Sequence, residues 1–129
     1  MSLRLVVAPT DTPSDPTHAY SLGLIGLYAH PELIIVGLPA EPAREFIAQA
    51  CSLISRGRHF ADGERATDLF PGAAAILRRV GEQHISEYLP EAITRYGGSD
   101  FGALQIVYPD RLGRFPWEPG CDLKLRLIQ

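Results

Sequence analysis

The run Leu33-Ile-Ile-Val-Gly-Leu-Pro-Ala-Glu-Pro42-Ala-Arg-Glu-Phe-Ile-Ala-Gln-Ala-Cys51-Ser-Leu-Ile-Ser-Arg-Gly57 changes period halfway, and that change decides the fold. Leu33 to Leu38 is a strand-length block of branched apolar residues, interrupted only by Gly37. Pro42 then suits a first helical turn, where its missing N–H would have no partner in any case. Ala43, Phe46, Ile47, Ala50, Cys51 and Ile54 recur at helical spacing and make one apolar stripe. Arg44, Glu45, Gln49, Ser52 and Ser55 take the other side. Arg56 complements the carbonyl end of the helix, and Gly57 supplies a left-handed cap. A strand is thus followed by a surface helix packed on one side.

On the N-terminal side, Tyr20 to Leu27 is a second apolar run, with Gly23 and Gly26 inside it. It pairs with Leu33 to Leu38 as a hairpin whose turn is His30-Pro31-Glu32. Leu3 to Ala8 reads as a strand that stops at Pro9, and Pro9 to Thr17 is a loop of Pro and Asp residues. On the C-terminal side, Asp62-Gly63 marks a turn, and Ala73 to Ile85 fits a helix and a strand face equally well. Glu87 to Tyr96 reads as a second helix with Tyr88, Leu89, Ala92, Ile93 and Tyr96 on one face, stopped by Gly97-Gly98. Ala103 to Tyr108 is a strand. Leu123, Leu125 and Leu127 alternate with Lys124, Arg126 and Ile128 as a final half-buried strand. The expected architecture is a single α+β domain over residues 1–129. Its mostly antiparallel sheet has about five or six strands, with two amphipathic helices on one face and the other face available for self-association.

Composition narrows the function classes. At 129 residues, 46% hydrophobic and 21% charged, the chain has the make-up of an ordinary folded domain. A net charge of −3 gives no general pull toward nucleic acid. Leu3 to Ala8 is too short for the apolar core of a signal peptide, and no apolar run is long enough to span a bilayer. The two cysteines, Cys51 and Cys121, make no disulfide framework. A cytoplasmic setting is therefore expected, with neither nucleic acid nor membrane as partner.

Chemistry-bearing residues gather in two places. His30-Pro31-Glu32 joins an imidazole to a carboxylate, a pairing suited to a ligand contact or to acid–base work. Asp110, Arg111, Arg114, Trp117 and Glu118 follow the strand Ala103 to Tyr108 on a backbone punctuated by Gly and Pro, where scaffolds place functional groups. Arginine offers a planar fork for carboxylate or phosphate, and Trp117 a flat stacking face. The plainer reading has Phe115 and Trp117 folded under the sheet as a plug, with Asp110 to Gly113 as a tight turn. Gln105, inside a strand, is a buried hydrogen-bonding residue or a ligand contact. No H-x-x-x-H or C-x-x-C pair points to a metal. No phosphate loop, dinucleotide fingerprint or nucleophile elbow points to a cofactor or to classical nucleophilic catalysis.

Two stretches resemble a bacterial family named DUF4262, a domain of unknown function. One is Tyr20-Ser-Leu-Gly-Leu with His30-Pro-Glu-Leu-Ile-Ile-Val-Gly-Leu-Pro39 and the helix behind it. The other is Leu104-Gln-Ile-Val-Tyr-Pro-Asp-Arg-Leu-Gly-Arg-Phe-Pro-Trp-Glu118. The resemblance spans roughly Ala19 to Glu118 and implies that Ala74 to Gln83 is a strand. It implies architecture and site location, and no activity. The residues themselves support a domain that binds a small anionic ligand between the 30–32 turn and the 110–118 loop. In that reading Arg111 and Arg114 neutralise the ligand, Trp117 covers it, and His30 or Glu32 orients it. A second reading is a hydrolase with catalytic candidates His30, Glu32 and Asp110. A third is an interaction module or homodimer using Phe115, Trp117 and the leucine edge of Leu123 to Leu127.

Overall fold

The computed structural model describes residues 3–110, 112–119, 121 and 127–128. The strands are β1 (Arg4–Val7), β2 (Thr17–Leu22), β3 (Glu32–Leu38), β4 (Arg65–Phe70), β5 (Ala73–Arg79) and β6 (Ala103–Val107). The helices are α1 (Leu24–Tyr28), α2 (Ala40–Ser55), α3 (Glu82–Tyr88) and α4 (Pro90–Tyr96). The strands form one six-stranded sheet in the order β1-β2-β3-β6-β5-β4. Every neighbouring pair is antiparallel except β3 with β6, which run parallel. The chain is α+β with a mostly antiparallel sheet, as expected.

The apolar block of β3 explains the layering. Leu33 and Ile35 point to one face, where Leu77, Leu104 and Ile106 join Ala43, Ile47, Ala50 and Ile54 of α2. Ile34 and Val36 point to the other, where Tyr20 and Leu22 meet Ile85 and Tyr88 of α3, Ala92 of α4 and Leu89 between them. The amphipathic helices therefore lie on opposite faces of the sheet, not on one. A strand apolar on both sides must be covered on both, and burying each Leu or Ile contributes about 1.5–3 kcal/mol. The face expected to serve self-association is the one that α3 and α4 pack against.

Local chemistry sets several boundaries away from their expected places. The run Tyr20 to Leu27 is not one strand: β2 ends at Leu22, and Gly23 at φ 127° turns the chain into α1. β2 and β3 do pair antiparallel, but across a short helix, and Glu32 is the first residue of β3 rather than part of a turn. The ambiguous segment from Ala73 divides into β5 and α3. The helix expected over Glu87 to Tyr96 is two helices, because Pro90 has no N–H to continue α3 and keeps Leu89 out of the helical region (φ −127°, ψ 55°). The final strand expected over Leu123 to Leu127 falls, apart from Leu127, outside the described residues.

The long helix ends as its sequence implies. The amides of Gly57 and Arg58 reach back to the carbonyls of Ile54 and Leu53 at 3.0 and 3.1 Å, with Gly57 at φ 101°. This is a Schellman closure, which a residue with a Cβ strains. Gly57→Ala is expected to cost about 1–2 kcal/mol in urea unfolding. Unchanged stability would show that the cap adds nothing to the fold.

Candidate functional site

The start of α1 has amide donors with no partner inside the helix and no local side chain to cap them, since Gly23 sits at the capping position. The cap comes from Glu32. Its carboxylate accepts the amide N–H of Gly23 at 3.0 Å and of Leu24 at 3.2 Å. The Ser21 hydroxyl donates to it at 2.7 Å and itself accepts the Leu33 amide at 2.9 Å. The Tyr96 hydroxyl, on α4, supplies a further short hydrogen bond. Glu32 and Ser21 are both fully buried. Burial and the neighbouring carboxylate push the Tyr96 phenol up to about 12. Hydrogen bonds to a charged group contribute about 1.5–3 kcal/mol each, against a desolvation cost of several kcal/mol. The carboxylate is held because every donor around it is spent on it.

His30 is 1% exposed and is committed in the same way. Its Nε2 accepts the Phe60 amide at 2.9 Å, so Nδ1 carries the proton and donates to the Pro31 carbonyl at 2.7 Å. Burial holds its pKa below the ordinary histidine value. Neither ring nitrogen is left to take a proton from a substrate, as a general base must.

Asp110, 7% exposed, organises the loop that follows β6. Its Oδ1 accepts the amides of Leu112 at 2.9 Å and Arg114 at 2.8 Å, and its Oδ2 accepts Arg114 Nε at 3.0 Å. Glu118 accepts the Phe115 amide at 2.6 Å. Gln105, fully buried, accepts the Ile128 amide at 3.1 Å. The loop folds back over the sheet: Phe115 is buried, and Trp117 stacks on it with centroids 5.2 Å apart and planes within 6°. The Arg65 guanidinium lies 5.9 Å from the Phe115 ring, and that of Arg78 lies 5.6 Å from the Trp117 ring. Arg65 pairs with Ile76, and the Ile76–Arg78 pair alternates with Leu77, so both arginines project from the same face.

The parallel pairing separates the two halves of the expected pocket. Glu32 is level with Ala103 at the start of β6, whereas Asp110 lies beyond Val107 at its end. Four residues of strand span about 13 Å. His30 and Glu32 therefore do not converge with Asp110. Arg114, Trp117 and Glu118 share one loop, and Arg111 lies outside the described residues. No group of three potential metal ligands occurs among the described residues.

Ser21, Tyr96, Arg65 and Arg78 belong to these arrangements and were not singled out for them in the sequence. A serine inside an apolar strand was the available signal for a buried hydrogen bond. Tyr96 was hidden because a helical apolar stripe accounts for its ring and not for its hydroxyl.

Fold and site together define an open-sheet α+β domain in which buried polar residues tie the main chain. Residues 3–122 match the family model described as "Domain of unknown function (DUF4262)". The chain belongs to that family. No curated protein and no solved structure matches it.

The histidine geometry sets a pH dependence. His30 and His18 both have pKa values lowered by burial from the ordinary 6.5. The unfolded chain takes up protons that the folded one refuses. Their contribution is thus present above the ordinary value and lost as pH falls through the folded one. Urea midpoints are expected to drop between about pH 7.5 and about pH 5.5, with a shallower drop in His30→Gln. An equal drop in both proteins would contradict the assignment of His30.

Proposed function

We propose that this protein is a binding domain for a small, planar, anionic ligand, and that the contact surface is the loop carrying Arg114, Trp117 and Glu118. The observation that carries this reading is the Phe115–Trp117 stack. Trp117 is 44% exposed, yet its ring is set parallel to a buried Phe115 on a loop tied by Asp110 and Glu118. A flat surface fixed in advance loses little freedom on binding. Arg65 and Arg78 flank it, and guanidinium groups match carboxylate or phosphate while tolerating an aromatic neighbour. The His30 turn takes no part in this site.

A cytoplasmic location belongs to the same proposal. Cys51 and Cys121 are free thiols, as a reducing compartment would keep them. No helix among the described residues is long and apolar enough to cross a membrane.

A second reading, a protein-contact surface, is favoured by Leu112. It is 76% exposed at the tip of the same loop that presents Trp117. Large apolar side chains exposed together mark interaction sites. Light scattering across a wide concentration range tests it for self-association, where a strict monomer would count against a homodimer.

Trp117 is the single tryptophan of the chain, so its emission reports on this loop directly. Titration with benzoate and with adenosine monophosphate is expected to change that emission with saturation. Arg65→Gln and Arg78→Gln are each expected to weaken binding about tenfold, or 1.4 kcal/mol. Emission unmoved by either probe, or affinities unchanged in both variants, would remove the proposal.

A further inference from the structure

We infer a second binding site, in the groove between α1 and the C-terminal half of α2, for a neutral molecule with a hydroxyl or carbonyl head and an apolar tail. The first observation is backbone strain. Ala29 is in the left-handed region at φ 52°, the one non-glycine residue with positive φ among those described. That conformation closes the C-terminus of α1, where the Ala29 and His30 amides return to the Ile25 and Leu24 carbonyls, at a cost of about 1–2 kcal/mol for a residue with a Cβ.

The residues on either side of that strained position, Tyr28 and His30, both line a cavity of about 260 Å³ together with Ser55, Arg58 and His59. A second cavity, of about 340 Å³, also contains Tyr28 and Ser55 and is walled by Leu3, Leu5, Ala48, Cys51 and Ser52. Shared walls make these one groove, polar at the α2 terminus and apolar toward β1. Taken together they fall within the volume range of a small-molecule pocket.

Charge decides the class of occupant. Arg58 is the lining cation, and it is already spent: Glu64 holds it at 2.6 Å and Asp68 at 2.9 Å. The carbonyl end of α2 opposes an anion here. No carboxylate lines either cavity to hold a cation. The polar groups left to a ligand are the His59 ring and the Tyr28 hydroxyl, which have no hydrogen-bond partner among the described residues. Each can donate or accept, as a neutral head requires, and the wall of Leu3, Leu5 and Ala48 takes the tail.

The test compares three probes of equal chain length, 1-octanol, octanoate and octylamine, by isothermal titration, with amide shifts read by NMR. 1-Octanol is expected to bind and to move the amides of Tyr28, Ser52, Ser55 and His59. The two charged probes should bind about tenfold more weakly. Ser52→Trp, which fills the tail section, should reduce octanol affinity at least tenfold. Tyr28→Phe, a change at an exposed hydroxyl that keeps the ring, should reduce it several-fold, and Trp117→Ala should leave it unchanged. Octanoate or octylamine binding as tightly as octanol would overturn the neutral-head assignment. Shifts that avoid the groove, or full affinity in both Ser52→Trp and Tyr28→Phe, would overturn the site.

Discussion

The carboxylate of Glu32 is out of contact with water and accepts hydrogen from the Gly23 and Leu24 amides, the Ser21 hydroxyl and the Tyr96 hydroxyl. Four elements meet at that one group. β2 ends beside it, α1 begins on it, β3 carries it, and α4 reaches it from the face that Ile34 and Val36 line. A buried carboxylate without these donors would carry a desolvation cost of several kcal/mol, so the joint forms whole or not at all. The turn between β2 and β3 is shaped by this requirement: Gly23 adopts φ 127° so that its N–H faces the carboxylate.

The same economy runs through the other polar residues of the two family stretches. His30 ties Phe60, Asp110 ties Leu112 and Arg114, Glu118 ties Phe115, and Gln105 ties Ile128. Each partner is a backbone amide. Residues that look like acid–base machinery in the sequence act here as clamps on irregular main chain, where buried N–H groups need acceptors. The two proposed contact surfaces are the aromatic stack at Trp117 and the groove bounded by Tyr28 and His59.

Much of the fold was legible because period and punctuation are local. The stripe from Ala43 to Ile54 with Gly57 behind it located α2, and the branched runs located β1, β3 and β6. The layering was harder to read, although the unbroken apolar block at Leu33 to Val36 already required cover on both faces. Strand order was not legible. A parallel β3–β6 pair rests on contacts between residues some seventy positions apart, and nothing local encodes it. That one pairing is why Glu32 and Asp110, adjacent in expectation, lie at opposite ends of β6. Of the plug expected from Phe115 and Trp117, Phe115 is buried and Trp117 is left exposed, while the Gly113 amide closes the expected tight turn on the Asp110 carbonyl. Arg65 and Arg78 escaped notice because facing across strands appears only once the register of β4 and β5 is known.

Amide hydrogen exchange in Glu32→Gln tests most directly whether these polar residues serve the backbone. The substitution keeps the shape and removes the charge, and places an amide N–H₂ group where only acceptors fit. The account predicts a loss of about 3–5 kcal/mol in global stability. It also predicts faster exchange at Gly23 and Leu24 under conditions where β3 stays protected. Wild-type stability with full protection of those two amides would contradict it.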